Sequence, residues 1–305
     1  MVIKNQKPKD CQTALDCAIR DFEKKKGNVE FGYVMNKFDI KYDNYMSNEA
    51  WQRYVDDMLP EHRSQYESGS GGELKEGTYP PNMASFGSSS RMIYELSKNI
   101  QGFEFEKQLE TKVGKEANID GYLKVGDTFI YMEAKRREIY GSKNKKISDK
   151  YKRVYSSINK KYSSFEYDGS LFKIDKKPIR HFDMKQLICH FLGITYYLIE
   201  NSVDNAKVKF LYLLYNPEEV EKKYIEDKYR VKVMSTYNKV VEFIDKNKDT
   251  FKEIFKAVLY FQQHENKQKS SSSTQGDFEI KPDFEFKRVD QNSYKKELEP
   301  YITHN

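Results

Sequence analysis

Residues 207–217, KVKFLYLLYNP, are mostly apolar and end at Asn-Pro. A run of this kind suits a buried strand, and a buried strand must be covered by other elements. The stretch before it supplies a helix. In DMKQLICHFLGITYYLIENS, residues 183–202, Met184, Leu187, Ile188, Phe191 and Leu192 recur at helical spacing. Further upstream, NIDGYLKVGDTFIYMEAK reads as two strands joined by a glycine turn, and FEFEKQLETKV alternates as another strand. SSSRMIYELSKN opens on a serine cap and buries Met92, Ile93 and Leu96. The order is helix, three strands, helix, strand, which predicts an α/β core built on a mixed sheet.

Around that core the sequence predicts additions. Residues 1–60 read as mainly helical, with SNEAWQRYVDDML capped by Ser or Asn and carrying Trp51, Val55 and Met58 on one face. Residues 61–87 read as a Gly-, Ser- and Pro-rich loop whose GSGG is no phosphate loop, since no Gly-Lys-Ser/Thr follows. The expected divisions are a helical elaboration and loop over 1–84, a core over 85–216, a helical extension over 217–264, and a flexible Ser-rich linker with its C-terminal segment over 265–305. Together they make one compact domain. The last segment, DFEIKPDFEFKRV, alternates like one or two short edge strands restricted by Pro282.

No apolar run approaches the roughly 20 residues of a bilayer span. Three scattered cysteines, Cys11, Cys17 and Cys189, give neither a disulfide framework nor a zinc site, and the N-terminus lacks an apolar signal region. The expectation is a cytoplasmic protein with no membrane partner. Net charge is only +6, but from Lys135 to Tyr162 eleven Lys or Arg face two acidic residues. That block points to a polyanionic partner, or else to a solvated helix and loop surface.

Chemistry gathers at the hairpin. Asp120 starts its first strand, and Glu133 and Lys135 end the second, two apart and so on one face. Two carboxylates with the carbonyl of Ala134 between them suit a hard cation such as Mg²⁺. A lysine beside them can orient water or stabilise a negative transition state. Glu-x-Lys by itself says little, since it occurs nine times in this chain. The copy at 133 stands apart because it closes an apolar strand behind Ile-Asp-Gly. Its main rival, Glu110 and Lys112, has no Asp in the preceding fifty residues.

Asp120, twelve intervening residues and Glu133-Ala134-Lys135 together resemble the signature of the PD-(D/E)XK nuclease superfamily. The helix SSSRMIYELSKN resembles its first core helix, on which Glu95 would complete the metal site. KQLICHFLGI resembles its later core helix, where Gln186 would approach the site and His190 stands where some members carry a Tyr. The stretch from Ser68 to Leu96 further resembles a group of bacterial restriction-endonuclease-like proteins. The resemblance covers residues 85–216, with 136–180 as a basic insertion suited to gripping DNA. It implies a restriction-endonuclease-like fold and a Mg²⁺-dependent endonuclease of restriction or phage-defence type, with Mn²⁺ substituting. It also implies in-line attack that leaves a 5′-phosphate. The implied metal ligands are Asp120, Glu133, Ala134 and Glu95, with Lys135 and Gln186 completing the catalytic set. The implied partner is double-stranded DNA, and cutting both strands favours a homodimer.

Blander readings compete. Glu95 has Arg91 at i−4 and suits an exposed salt bridge. Gln186 suits the polar edge of its helix, and His190 a satisfied helix surface. A protein on the same fold could bind nucleic acid without catalysis. An unrelated interaction protein would hold Asp120 and Lys135 far apart.

Overall fold

The computed structural model describes residues 2–4, 8–27, 30–35, 40–69, 72–141, 148–169, 171–269 and 279–289. The N-terminal region runs β1 (Val2–Lys4), α1 (Cys11–Lys25), β2 (Phe31–Met35), β3 (Ile40–Met46), α2 (Asn48–Asp56), α3 (Pro60–Ser68) and α4 (Ser89–Ser97). Three strands follow, β4 (Glu104–Leu109), β5 (Ala117–Val125) and β6 (Thr128–Lys135). The insertion holds α5 (Lys152–Lys161), β7 (Phe165–Tyr167), β8 (Phe172–Ile174) and β9 (Lys177–Pro178). The chain ends with α6 (Met184–Glu200), β10 (Ala206–Tyr215), α7 (Glu218–Tyr224), α8 (Asp227–Lys269) and β11 (Ile280–Val289).

The expected α/β class with a mixed sheet is observed. Five strands lie in the order β11-β10-β6-β5-β4. β4, β5 and β6 are antiparallel to their neighbours, while β6, β10 and β11 run parallel. Strand β10 is central, so its apolar run is covered on both faces. Phe210, Tyr212 and Leu214 join a core with α5, α6 and α8. Leu211, Leu213 and Tyr215 join a second core with α1, α2, α4 and the N-terminal strands. The predicted caps form: Ser47 accepts from Ala50 N at 3.1 Å, and Ser88 accepts from Arg91 N at 3.1 Å. Trp51, Val55 and Met58 are buried as expected. No helix among the described residues is long and apolar enough to cross a membrane.

Several expectations are corrected. Residues 1–84 are not simply helix and loop, because β1, β3 and β2 form a three-stranded sheet. IKYDNYM alternates with period two and pairs with FGYVM across a register shift at Phe31/Tyr33, a pattern too short and irregular to stand out between its flanking helices. Residues 61–87 are not all loop, since Pro60 at the first turn starts α3. Within the insertion, 165–178 fold into a small antiparallel sheet beside the expected basic helix. Helix α8 continues through the division expected at 265. Most of the Ser-rich run lies outside the described residues. The segment after it is no loose appendage: β11 pairs with β10 along ten residues and places Pro282 on the sheet edge, where its missing N–H is tolerated. The far edge is guarded differently. Gln65 of α3 accepts from Phe105 N at 2.7 Å, and Gln108 of β4 donates to the Ser68 carbonyl of α3 at 3.2 Å, so α3 covers the edge of β4.

Helix α6 packs close to the sheet at Gly193. A Cβ there would stand 2.8 Å from Leu109 Cβ and 2.9 Å from Ala117 Cβ. Gly193→Ala is therefore expected to destabilise the fold by about 1–2 kcal/mol, overpacking outweighing the gain in helix propensity. Urea unfolding checks this, and an unchanged midpoint would mean that α6 has room to move off the sheet.

Candidate active site

The hairpin of β5 and β6 opens into a fork. Its ladder runs from Val125↔Thr128 to Gly121↔Met132. Beyond that point β6 stays with β10 as far as Lys135, while β5 stays with β4 as far as Ala117. Asp120 sits where the strands part, and its Oδ2 accepts from Ala134 N at 2.7 Å. In a strand the N–H and C=O of one residue point to the same side, so the Ala134 carbonyl also turns toward the fork. Both β4 and β5 change face here. Phe105 lies in one core and Leu109 in the other, as do Leu123 and Ile119 on β5. On β4 the change falls at Glu106, whose φ is +49°. Next to Asp120, Gly121 lets α4 and its neighbours come close: a Cβ would stand 2.5 Å from Phe103 Cζ and 3.3 Å from Ile93 Cγ1.

Glu133 and Lys135 face α6. Glu133 is 2% exposed. Its Oε1 pairs with Lys135 Nζ, and its Oε2 lies 2.8 Å from His190 Nε2. Lys135, at 12% exposure, is the more open of the pair. These residues line a small, partly open cleft with Asp183, Gln186, Leu187, Phe210 and Tyr212. Asp183 also caps α6 by accepting from Gln186 N at 2.9 Å. Tyr212 stands opposite Glu133 on β10.

The electrostatics divide the carboxyls. Burial pushes Glu133 up, but Lys135 and His190 more than offset this and carry it to about 2. Burial and the Glu133 charge drive Asp120 well above the carboxylate range, against the pull of Lys135. Glu106 is pushed to about 8 by burial, Glu73 and Glu133. The Lys135 ammonium loses solvation, yet Glu133, Glu138 and Asp120 hold its value well above normal. A lysine among carboxylates thus stays charged.

The fork therefore unites Asp120, Glu133, Ala134 and Lys135, and the cleft adds Gln186 and His190. The wide separation of Asp120 and Lys135 that an unrelated interaction protein would show is not observed, since both lie in one electrostatic cluster. Glu95 is elsewhere. Its Oε2 pairs with Lys98 at 2.7 Å. The α4 residue turned to the fork is Ser90, which donates to Glu106 Oε1 at 3.5 Å. Five residues turn a helix by about 140° past a full revolution, so Glu95 cannot share that direction. The salt-bridge reading of Glu95 is right in kind, with Lys98 as the partner in place of Arg91. Glu110 and Lys112 form an exposed pair at 2.7 Å.

Sequence reasoning missed Glu106, Tyr212 and Glu138. Glu138 accepts from Arg136 N at 2.8 Å and Arg137 N at 2.9 Å, and from Ser89 Oγ at 2.9 Å, fastening the end of β6 to α4. Two members of the basic block are also committed to the interior. Arg136 is buried with its guanidinium 5.1 Å from the Tyr215 ring, and Arg137 pairs with Asp16 of α1. Lys150, Lys152, Arg153, Lys160 and Lys161 remain on the surface, while residues 142–147 lie outside the described part.

Among the described residues no three His, Cys, Asp or Glu side chains are gathered as a ready metal cluster. The donor chemistry still fits a hard divalent cation. Asp120, Glu133 and Glu106 are crowded carboxyls, two of them raised by mutual repulsion and burial, and a cation relieves that. Comparison with protein-family models, with curated proteins and with solved structures finds no match for this chain.

Glu106→Gln tests the electrostatics. A carboxyl raised from 4.5 to about 8 costs nothing below 4.5 and destabilises progressively as pH climbs through 8. The neutral variant is expected to match wild type near pH 4. By pH 8 it should exceed wild type by on the order of 2 kcal/mol in urea unfolding. Parallel stability curves would mean that Glu106 ionises normally.

Proposed function

We propose that this protein is a metal-dependent deoxyribonuclease, an endonuclease of restriction or phage-defence type related to the PD-(D/E)XK nucleases. The observation that carries the reading is the fork itself. Asp120, Glu133 and Lys135 meet where two strands of one hairpin separate, and the last two line a cleft that also holds Gln186. The element order from α4 through β4, β5, β6 and α6 to β10 is the order that the resemblance implies. Exposed lysines and Arg153 of the insertion offer a surface for duplex phosphates.

In this reading Asp120 and Glu133, with the Ala134 carbonyl, hold Mg²⁺ or Mn²⁺. The cation supplies Lewis-acid stabilisation of the phosphoryl group and a more acidic bound water. Lys135 places a fixed positive charge at the rim of the cleft, where it can steady a phosphate oxygen or orient the attacking water. Gln186 offers an amide that can hold either group in line. Burial of Glu133 keeps these contacts in a low-dielectric setting, where each counts for more than in water.

One observation favours a second reading, a nucleic-acid-binding protein without catalysis. Both oxygens of Glu133 are already engaged, by Lys135 and His190.

Incubation of the purified protein with supercoiled plasmid in Mg²⁺, Mn²⁺ or EDTA separates the two. Metal-dependent nicking or linearisation is expected, reduced at least about 100-fold by Lys135→Ala. Absent cleavage in wild type, with salt-sensitive DNA binding kept in both proteins, would favour the binding protein.

A further inference from the structure

His190 is the polar group in the cleft that the roles above leave unused. It lies on α6 one turn beyond Gln186, 2% exposed, lining the cleft with Leu187 and Phe210. Its Nε2 approaches Glu133 Oε2 at 2.8 Å. Neither of its buried ring nitrogens makes a well-directed hydrogen bond among the described residues, and the approach of Nε2 to Oε2 is a close polar contact of the ring. Glu133 is thus the polar contact that rewards an imidazole at this apolar position. Filling space there needs only a hydrophobic ring or chain.

A carboxylate turns readily about its last torsion, whose preference is broad and two-fold. Left alone with Lys135, Glu133 could offer both oxygens to the ammonium. With Oε2 held from the helix side, Lys135 meets Oε1 alone. Oε1 also faces the more open direction, since Lys135 is 12% exposed and the His190 side chain 3%.

We propose that His190 is a positioning residue for Glu133, holding Oε2 so that Oε1, the oxygen that Lys135 contacts in this structure, is the one that turns to a divalent cation. The proposal rests on the reading of the fork as a cation site. It adds that the helix selects which carboxylate oxygen is used, and that Nε2 is the atom that does so. Partners of this kind, one step behind a metal ligand, fix its orientation and affect affinity without touching the ion.

The test is titration of the full-length chain with Mn²⁺ by calorimetry, for wild type, His190→Gln and His190→Asn. The Gln amide nitrogen reaches the place of Nε2, whereas the Asn nitrogen reaches only that of Nδ1. The Gln variant is expected to bind within about 3-fold of wild type, and the Asn variant about 10-fold more weakly, at matching thermal midpoints. Equal and wild-type-like binding by both variants would overturn the positioning role while leaving the cation site standing. Equal weakening of both, with lowered thermal midpoints, would make His190 a packing residue and overturn it too. Absence of Mn²⁺ binding in the folded wild type would remove the cation site and the proposal together, a result seen before any variant is made.

Discussion

One hydrogen bond organises the centre of this molecule. At the point where β5 leaves β6, the backbone ladder stops and the Asp120 side chain takes over, accepting from Ala134 N at 2.7 Å. A buried N–H must find an acceptor, so the strands can part only if a side chain replaces the missing carbonyl. An aspartate does this and leaves its second oxygen at the fork. The next residues of β6 then stay in register with β10, with Glu133 opposite Tyr212 and Lys135 opposite Leu214. Their side chains face α6, and Glu138 secures the strand end by binding two backbone amides and a serine of α4. The reactive groups are thus set by backbone register and need little help from flexible loops.

Such a centre is expensive to build from charged groups. Burying a carboxylate costs several kcal/mol unless partners compensate, and hydrophobic replacements of similar volume often do as well or better for stability. Here one ammonium and one imidazole serve Glu133, while Asp120 and Glu106 are driven toward their neutral forms. The cluster is unbalanced as a stabilising network. It is balanced as a place to receive positive charge. Departures from an apolar core are expected where chemistry requires them, and strongly shifted groups beside a cleft mark such places.

What was legible follows from periodicity. Asp120, Glu133 and Lys135 could be placed because a strand alternates strictly and the apolar run TFIYMEAK fixes which side is which. Gln186 could be placed beside the apolar stripe of Met184, Leu187, Ile188, Phe191 and Leu192, whereas His190, weighed as a helix-surface residue, is buried because α6 is covered on most sides. Glu95 could not, because α4 is buried on nearly every side from Ser90 to Ser97, so its pattern does not reveal which face meets the sheet. Glu106 escaped for the opposite reason. Simple alternation puts it on the wet face of FEFEKQL, and only the positive φ turns the strand over there. Tyr212 depended on parallel register, which has no local signature. The N-terminal strands were lost among helices, being five and seven residues long.

The C-terminal strand explains why the opening apolar run is as uniform as it is. Had the chain stopped at α8, β10 would be an edge, and an edge strand calls for charge or proline to discourage pairing. Those features appear on β11 instead: Asp283, Glu285 and Lys287 alternate along it after Pro282, with Glu285 reaching back to Lys209 at 3.1 Å. The protective chemistry has been moved one strand outward. As a consequence β10 lies inside the sheet, and Tyr212 and Glu133 lie with it, away from either edge. β11 also supports the cleft from behind, since its Phe284 stacks on Phe210, which lines it. The carboxylate of Glu133 is thus buried between a single lysine and a single histidine.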